Sequence, residues 1–257
     1  MKVVLLAGGY GTRLSEETVI KPKPMVEIGD KPILWHIMKI YWSYGFNDFE
    51  IALGYKGELI KEFFLNYKLH TNDMKIHLSN GEVEFKNNCA EDWHIGLHDT
   101  GTKSMTGGRL FRLKNLFNKG DTLMLTYGDG VADVNINELL DFHFAHGKIA
   151  TLTAVRPPAR FGSVEMDSNG LVSEFKEKPQ IGEGWINGGF FVFDYKIFEY
   201  LFDENSILER YPMEKLAEEQ QLVAYKHEGF WQCMDTIRDR DSLNEIWLSG
   251  NAPWKKW

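Results

Sequence analysis

The sequence predicts an α/β fold built on a mostly parallel mixed sheet with covering helices, carrying a β-rich insertion and a C-terminal helical part. Three observations lead there. An apolar, strand-like run at residues 2–6 (KVVLL) enters a glycine-rich loop at 7–11 with no spacer. Strand and helix patterns then alternate as far as residue 67. The 257 residues, 43% of them hydrophobic, suit one large core better than two small ones, so a single domain over 1–257 is expected.

The elements follow in order. Pro32 can open a helix whose apolar residues Ile33, Leu34, Ile37, Met38 and Tyr41 recur at helical spacing, with Gly45 placed to end it. A strand at 49–53 and a helix at 58–67 complete a β-α-β-α run, which implies a Rossmann-like sheet with ligands at the carboxyl ends of its strands. The pattern then changes. Within 74–100, segments 75–78 and 82–86 flank Ser79-Asn80-Gly81 as a hairpin and His94–Asp99 alternates like a third strand, so the block reads as a β-rich insertion. The frame resumes with a helix at 108–116, a strand at 122–126, helix Ile136–His146 and strand Ala150–Val155. Segments 163–166 and 171–176 around Asp167-Ser168-Asn169-Gly170 read as a second hairpin, followed by a strand at 189–193. The last third turns helical, at 195–201, 213–220 and 238–249, with strand Leu222–His227 among them.

Composition narrows the function classes. A formal net charge of -8 argues against a nucleic-acid surface, which needs clustered Lys and Arg, and leaves small phosphorylated ligands held by a few local cations or a metal. No run is apolar enough for a membrane span, and residues 1–7 lack the pattern of a secretory signal, so a cytoplasmic protein is expected. Cys89 and Cys233 stand far apart without metal spacing and read as free thiols.

The chemistry is concentrated in a few short stretches. In Leu6-Ala7-Gly8-Gly9-Tyr10-Gly11-Thr12-Arg13-Leu14, small residues let backbone N–H groups approach phosphate oxygens, while Thr12 adds a hydroxyl and Arg13 a fixed cationic fork; a tight strand-to-helix turn is the alternative. A Walker loop would need Gly-Lys-Ser/Thr, which is absent, and a dinucleotide fingerprint from Gly9 would need glycine where Leu14 stands. Lys21-Pro22-Lys23-Pro24-Met25 follows, its prolines able to hold Lys23 toward that loop, or else it is a solvated basic turn. Asp129, in Tyr127-Gly128-Asp129-Gly130, ends an apolar strand where a carboxylate suits magnesium. Asp235, in Met234-Asp235-Thr236, offers a second carboxylate or a helix cap. Glu177 and Lys178 are either a ligand pair or a surface ion pair, and His143 with His146 marks a helix C-terminus.

Together G-G-Y-G-T-R-L, K-P-K-P-M, Y-G-D-G, F-G-S-V, E-K-P and W-x-x-M-D-T resemble, in order and along essentially the whole chain, the sugar-1-phosphate nucleotidyltransferases. Thr106-Gly107-Gly108-Arg109-Leu110, the 74–100 block and the closing Ala252-Pro253-Trp254-Lys255 resemble the members that use CTP and glucose 1-phosphate. The resemblance implies residues 6–13 and Lys23 on the triphosphate, Ser104, Arg109 and Gly128 around the nucleoside, and Asp129 and Asp235 on Mg2+. It implies Gly162, Glu177, Lys178 and Asn187 on the sugar phosphate, from about residue 156 onward, and Arg13, Lys23 and Asp129 as the catalytic set. The expected chemistry is in-line attack of the sugar phosphate on the α-phosphorus of the nucleotide, with no side-chain nucleophile. Arg109, helped by Ser104 and the backbone near Gly107, is expected to select cytosine over uracil, because a guanidinium has only donors and uracil replaces the N3 acceptor by a donor. One departure is Tyr211 before Pro212, where relatives usually carry an acidic residue. The 74–100 block is expected to form a subunit interface, and the resemblance favours a hexamer. Competing readings are a uridylyl- or thymidylyltransferase, a nicotinamide-dependent oxidoreductase and a non-catalytic nucleotide-sugar sensor.

Overall fold

The computed structural model describes residues 1–86, 91–156, 163–166, 172–176 and 184–257. Its frame is an eight-stranded sheet. Val3–Ala7 lies near the middle, parallel to Asp48–Leu53 on one side and to Thr122–Tyr127 on the other. Beyond Thr122–Tyr127 comes Phe191–Asp194, which runs antiparallel, then Ala150–Val155 and, parallel to it, Leu222–His227. The sheet is therefore mixed and mostly parallel. Successive residues of the first strand serve opposite cores: Val3, Leu5 and Ala7 pack with the helix Ile33–Trp42, whereas Val4 and Leu6 pack with Leu110, Phe191 and Phe198. Burial of both faces explains why that strand reads as an unbroken apolar run.

Several expected boundaries hold because local signals agree with tertiary packing. Ile136–His146 starts at Asn135, whose side chain accepts from the N–H groups of Asn137 and Glu138, and stops at Gly147 in the left-handed region (φ 62°). Other expectations need correction. His94–Asp99 does not belong to the insertion: it extends the main sheet, parallel to Asp48–Leu53, and only the hairpin Met74–His77 with Glu82–Phe85 stands apart. The strand expected at 189–193 begins at Phe191 because Gly189 and Phe190 have φ of 78° and 46°, which extended backbone does not allow. The helix expected at 108–116 starts at Thr106 and ends at Arg112, with a separate 3-10 turn at Lys114–Leu116. The helix expected at 195–201 is a 3-10 turn, Tyr195–Glu199, and the one at 58–67 splits into Gly57–Leu65 and Tyr67–Thr71. Among the described residues no helix is long and apolar enough to cross a membrane.

The closing segment returns to the core. Trp254 is fully buried, stacks on Phe230 and Trp247 with centroids 5.5 and 6.3 Å apart, and its Nε1 donates to His36 Nδ1 at 3.4 Å. His36 Nε2 donates to the Ile28 carbonyl at 2.9 Å, so its ring is neutral, in keeping with burial that pushes its pKa down to about 4. This packing ties helix Ile237–Leu248, and the loop before it, to helix Ile33–Trp42.

The Gly107-Gly108 pair has a steric reason. A Cβ on Gly108 would fall 2.1 Å from the Glu204 carbonyl oxygen, and one on Gly107 would fall 2.8 Å from that of Ser206. Gly108→Ala should therefore push the Thr106–Arg112 helix off the 204–206 turn and cost about 2 kcal/mol or more. A thermal melt checks this; an unchanged midpoint would contradict it.

Candidate active site

The carboxyl ends of Val3–Ala7, Asp48–Leu53, His94–Asp99 and Thr122–Tyr127 point the same way, and the segments that follow the first, third and fourth of these strands line a cavity of about 430 Å³. The glycine loop forms one wall: Leu6 and residues 8–12 line the cavity. Gly11 adopts φ 63°, which lets its carbonyl accept from Leu14 N at 2.9 Å and Thr18 Oγ1 at 3.1 Å, closing the turn. Ala7 is buried behind the wall, and Arg13 lies in the 3-10 turn Thr12–Leu14, its side chain outside what is described.

The floor joins three parts of the chain. Lys23 sits in the short 3-10 turn Lys23–Met25, flanked by Pro22 and Pro24, and is 9% exposed. Its Nζ donates to Asp129 Oδ2 at 2.6 Å and to Asp235 Oδ1 at 2.5 Å. Burial alone would lower the Lys23 pKa, but Asp129 and Asp235 outweigh it, so the ammonium is held above its ordinary value. Gly128 lets the backbone come close here: a Cβ would lie 2.9 Å from the Leu6 carbonyl oxygen and 3.1 Å from Pro24 Cγ.

A two-stranded ribbon brings the two carboxylates together. Gly130–Ala132 pairs antiparallel with Trp231–Cys233, and Met234 N donates to the Asp129 carbonyl at 2.8 Å. Asp235 does not cap the following helix. Thr236 does: its hydroxyl accepts from Asp239 N, while the Asp239 carboxylate accepts from Thr236 N, a reciprocal box that leaves the Asp235 carboxylate directed at Lys23. The free thiol of Cys233 is pushed up to about 12, chiefly by burial and then by Asp235 and Asp129, so it stays protonated. Among the described residues no group of three or more His, Cys, Asp or Glu side chains could hold a metal. Two converging carboxylates nonetheless suit a hard cation that takes its remaining oxygens from phosphates and water.

Ser104 and Arg109 also line the cavity. Arg109 is 5% exposed, and its guanidinium is shared among protein acceptors: Leu53 O, Thr100 Oγ1 and Gly101 O take bonds from Nη1 at 2.8–3.0 Å, and Gly8 O from Nη2 at 2.9 Å. The expectation that it selects the base must accommodate this, because the side chain braces the glycine loop from behind. Gly107 is not at the cavity wall, since its α-carbon faces the Ser206–Leu208 backbone. Asn187, just past the rim, donates from Nδ2 to Tyr127 Oη at 3.1 Å. Gly162, Glu177, Lys178 and Cys89 lie outside the described residues. Sequence reasoning missed Lys103, Met105, Thr106 and Tyr127, which also line the cavity. The Lys103 signal was a lone cation in a Gly/Thr/Ser-rich stretch; the other three carry none. Burial, then Glu209, pushes the Tyr127 phenol well above its ordinary range.

A sheet of this order, with a glycine loop and a lysine between two aspartates at its carboxyl edge, defines a phosphate-handling α/β protein, and the nucleotidyl transferase family profile matches residues 2–239. The chain belongs to that family. It is 51% identical to the glucose-1-phosphate cytidylyltransferase of Salmonella typhi and 43% identical to the probable glucose-1-phosphate cytidylyltransferase of Bacillus subtilis, each match covering 100% of both chains. Among solved structures, HddC from Yersinia pseudotuberculosis superposes with a TM-score of 0.70 at 20% identity, over 96% of this chain and 99% of that one, a likeness of fold.

Proposed function

We propose that the chain transfers the cytidylyl group of CTP to glucose 1-phosphate, giving CDP-glucose and pyrophosphate. The observation that carries this reading is the meeting of Lys23, Asp129 and Asp235 under the glycine loop, in a chain half identical along its whole length to a glucose-1-phosphate cytidylyltransferase. A phosphate oxygen of the sugar phosphate attacks the α-phosphorus in line, and pyrophosphate leaves. That oxygen is already ionised near neutral pH, so the protein has to align two anions and offset their repulsion. The N–H groups of the glycine loop and Lys23 do this on the triphosphate side, joined by Arg13; Lys178, Glu177, Asn187 and Gly162 serve the sugar phosphate. Ser104, Arg109 and Gly128 border the nucleoside. Asp129 and Asp235 would hold Mg2+, which supplies divalent charge between the phosphates. Pyrophosphate release measured with magnesium, glucose 1-phosphate and each nucleoside triphosphate in turn tests the reading. CTP should give the highest kcat/KM; faster release with UTP or dTTP would replace it by the uridylyl or thymidylyl alternative.

A homo-oligomer, with a hexamer favoured, is part of the same proposal. Among the described residues the hairpin Met74–His77/Glu82–Phe85 pairs with no other strand, and Ile76, Leu78 and Val83 are 50%, 91% and 43% exposed, while Leu65 and Leu69 on the two preceding helices are 80% and 44% exposed. An isolated two-stranded hairpin with an apolar face gains stability by burying that face. Deleting 75–86 should lower the mass seen by light scattering, and an unchanged assembly would remove the basis for placing the interface there.

A further inference from the structure

In the 209–212 segment Tyr211 stands where the resemblance implies an acidic residue, yet its neighbour Glu209 holds the more informative position. Tyr211 rests on Phe202, ring centroids 5.4 Å apart, and Pro212 opens the helix Tyr211–Glu218, fixing the turn that carries Glu209. The Glu209 carboxylate accepts from Tyr127 Oη on Oε1 and from Thr106 Oγ1 on Oε2, both at 2.6 Å. An exposed carboxylate gains little from one such contact; two short charge-assisted bonds from separate elements fix its rotamer. Both donors line the cavity.

The consequence passes along a chain of bonds. A phenol has one O–H, and Tyr127 gives it to Glu209, so its oxygen can only accept from any other neighbour. Asn187 Nδ2 is the donor it meets, at 3.1 Å, while Asn187 Oδ1 accepts from Gly189 N at 3.0 Å. These two contacts fix the amide: oxygen toward Gly189, nitrogen toward Tyr127, with the second Nδ2 hydrogen left for a third partner.

We infer that Glu209 is a positioning residue for the sugar-phosphate half of the site, acting through Tyr127 to hold Asn187 with an N–H presented to an acceptor oxygen of that substrate. The inference rests on the reading of Asn187 as a sugar-phosphate ligand. A glutamine at 209 can offer an N–H to the phenol oxygen, which releases the Tyr127 proton toward Asn187, where donor then meets donor.

Steady-state kinetics with CTP and glucose 1-phosphate varied in turn tests this on Glu209→Gln, Tyr127→Phe, their double variant, Asn187→Ala and Glu209→Asp, each first checked for a parental melting profile. Glu209→Gln and Tyr127→Phe should each raise KM for glucose 1-phosphate by about five- to tenfold, with KM for CTP moving less than about twofold. The double variant should be no worse than the worse single one, because both act on one chain of bonds. Glu209→Asp, which keeps the charge, should recover part of the loss. If Asn187→Ala raises KM for glucose 1-phosphate but Glu209→Gln does not, the inference falls and the reading of Asn187 stands. If Asn187→Ala leaves that KM unchanged, both fall. An equal rise in KM for CTP in Glu209→Gln also overturns the inference, since the carboxylate would then act through Thr106 on the whole cavity.

Discussion

Asp235→Asn should fold normally and lose about a hundred- to a thousandfold in kcat, and Asp129→Asn should do the same. The amide preserves shape and one hydrogen bond to Lys23 while removing the charge. Both carboxylates reach the same ammonium, at 2.6 and 2.5 Å, so neither stands apart from the other as a cation site. Among the described residues Asp129 is the one carboxylate that lines the cavity, and Asp235 is the carboxylate that shares its lysine. Turnover at limiting magnesium is the sensitive measurement. Near-parental rates for Asp235→Asn under those conditions would remove the two-carboxylate proposal.

For Arg109→Met the expected result is a lower melting temperature and an equal loss of kcat/KM for CTP and UTP. The guanidinium joins Gly8 of the phosphate loop to Leu53, Thr100 and Gly101 on two neighbouring strand ends. The space behind the loop is filled by this side chain: a Cβ on Gly8 would lie 2.1 Å from its Nη1, and one on Gly54 would lie 2.4 Å away. Leu53 O and Gly8 O keep backbone donors from Thr100 and Tyr55, so the cost stays below that of fully orphaned carbonyls, about 2–4 kcal/mol. That corresponds to about 5–10 °C for a chain of this size. A phosphate loop that loses its brace weakens every triphosphate alike. If the variant instead loses far more with CTP than with UTP, the guanidinium reads the base, as hydrogen-bond polarity alone suggests.

The strands and helices that could be read from sequence are those whose own residues carry a period and a stop. Ile136–His146 has a capping asparagine before it and a glycine after it, and Ala150–Val155 and Leu222–His227 carry β-branched or aromatic residues (Thr151, Thr153, Val155; Val223, Tyr225) at every second position. The ribbon of Gly130–Ala132 with Trp231–Cys233 was not legible: three-residue strands have no measurable period, and their pairing joins segments about a hundred residues apart. Yet that ribbon is what makes Asp129 and Asp235 neighbours. The motifs supplied both aspartates as candidates, and Thr236-Ile237-Arg238-Asp239 already held the signature of a capping box that relieves Asp235 of that duty. The strand character of His94–Asp99 showed in its alternation, but which sheet it joins depends on a partner strand, which local pattern does not encode. Glu209, Thr106 and Tyr127 meet only in three dimensions.

The contacts of Lys23 span 106 and 212 residues of sequence. Closing loops of that length is a late event in folding, rewarded only after the intervening chain has been ordered. During synthesis the glycine loop, Lys23 and Asp129 all leave the ribosome well before residue 235, so a growing chain carries a lysine without its second counter-charge. On the proposed reading of Asp129 and Asp235 as cation ligands, a stalled or truncated product that ends before residue 235 lacks the second carboxylate, so the site is finished only when the chain nearly is.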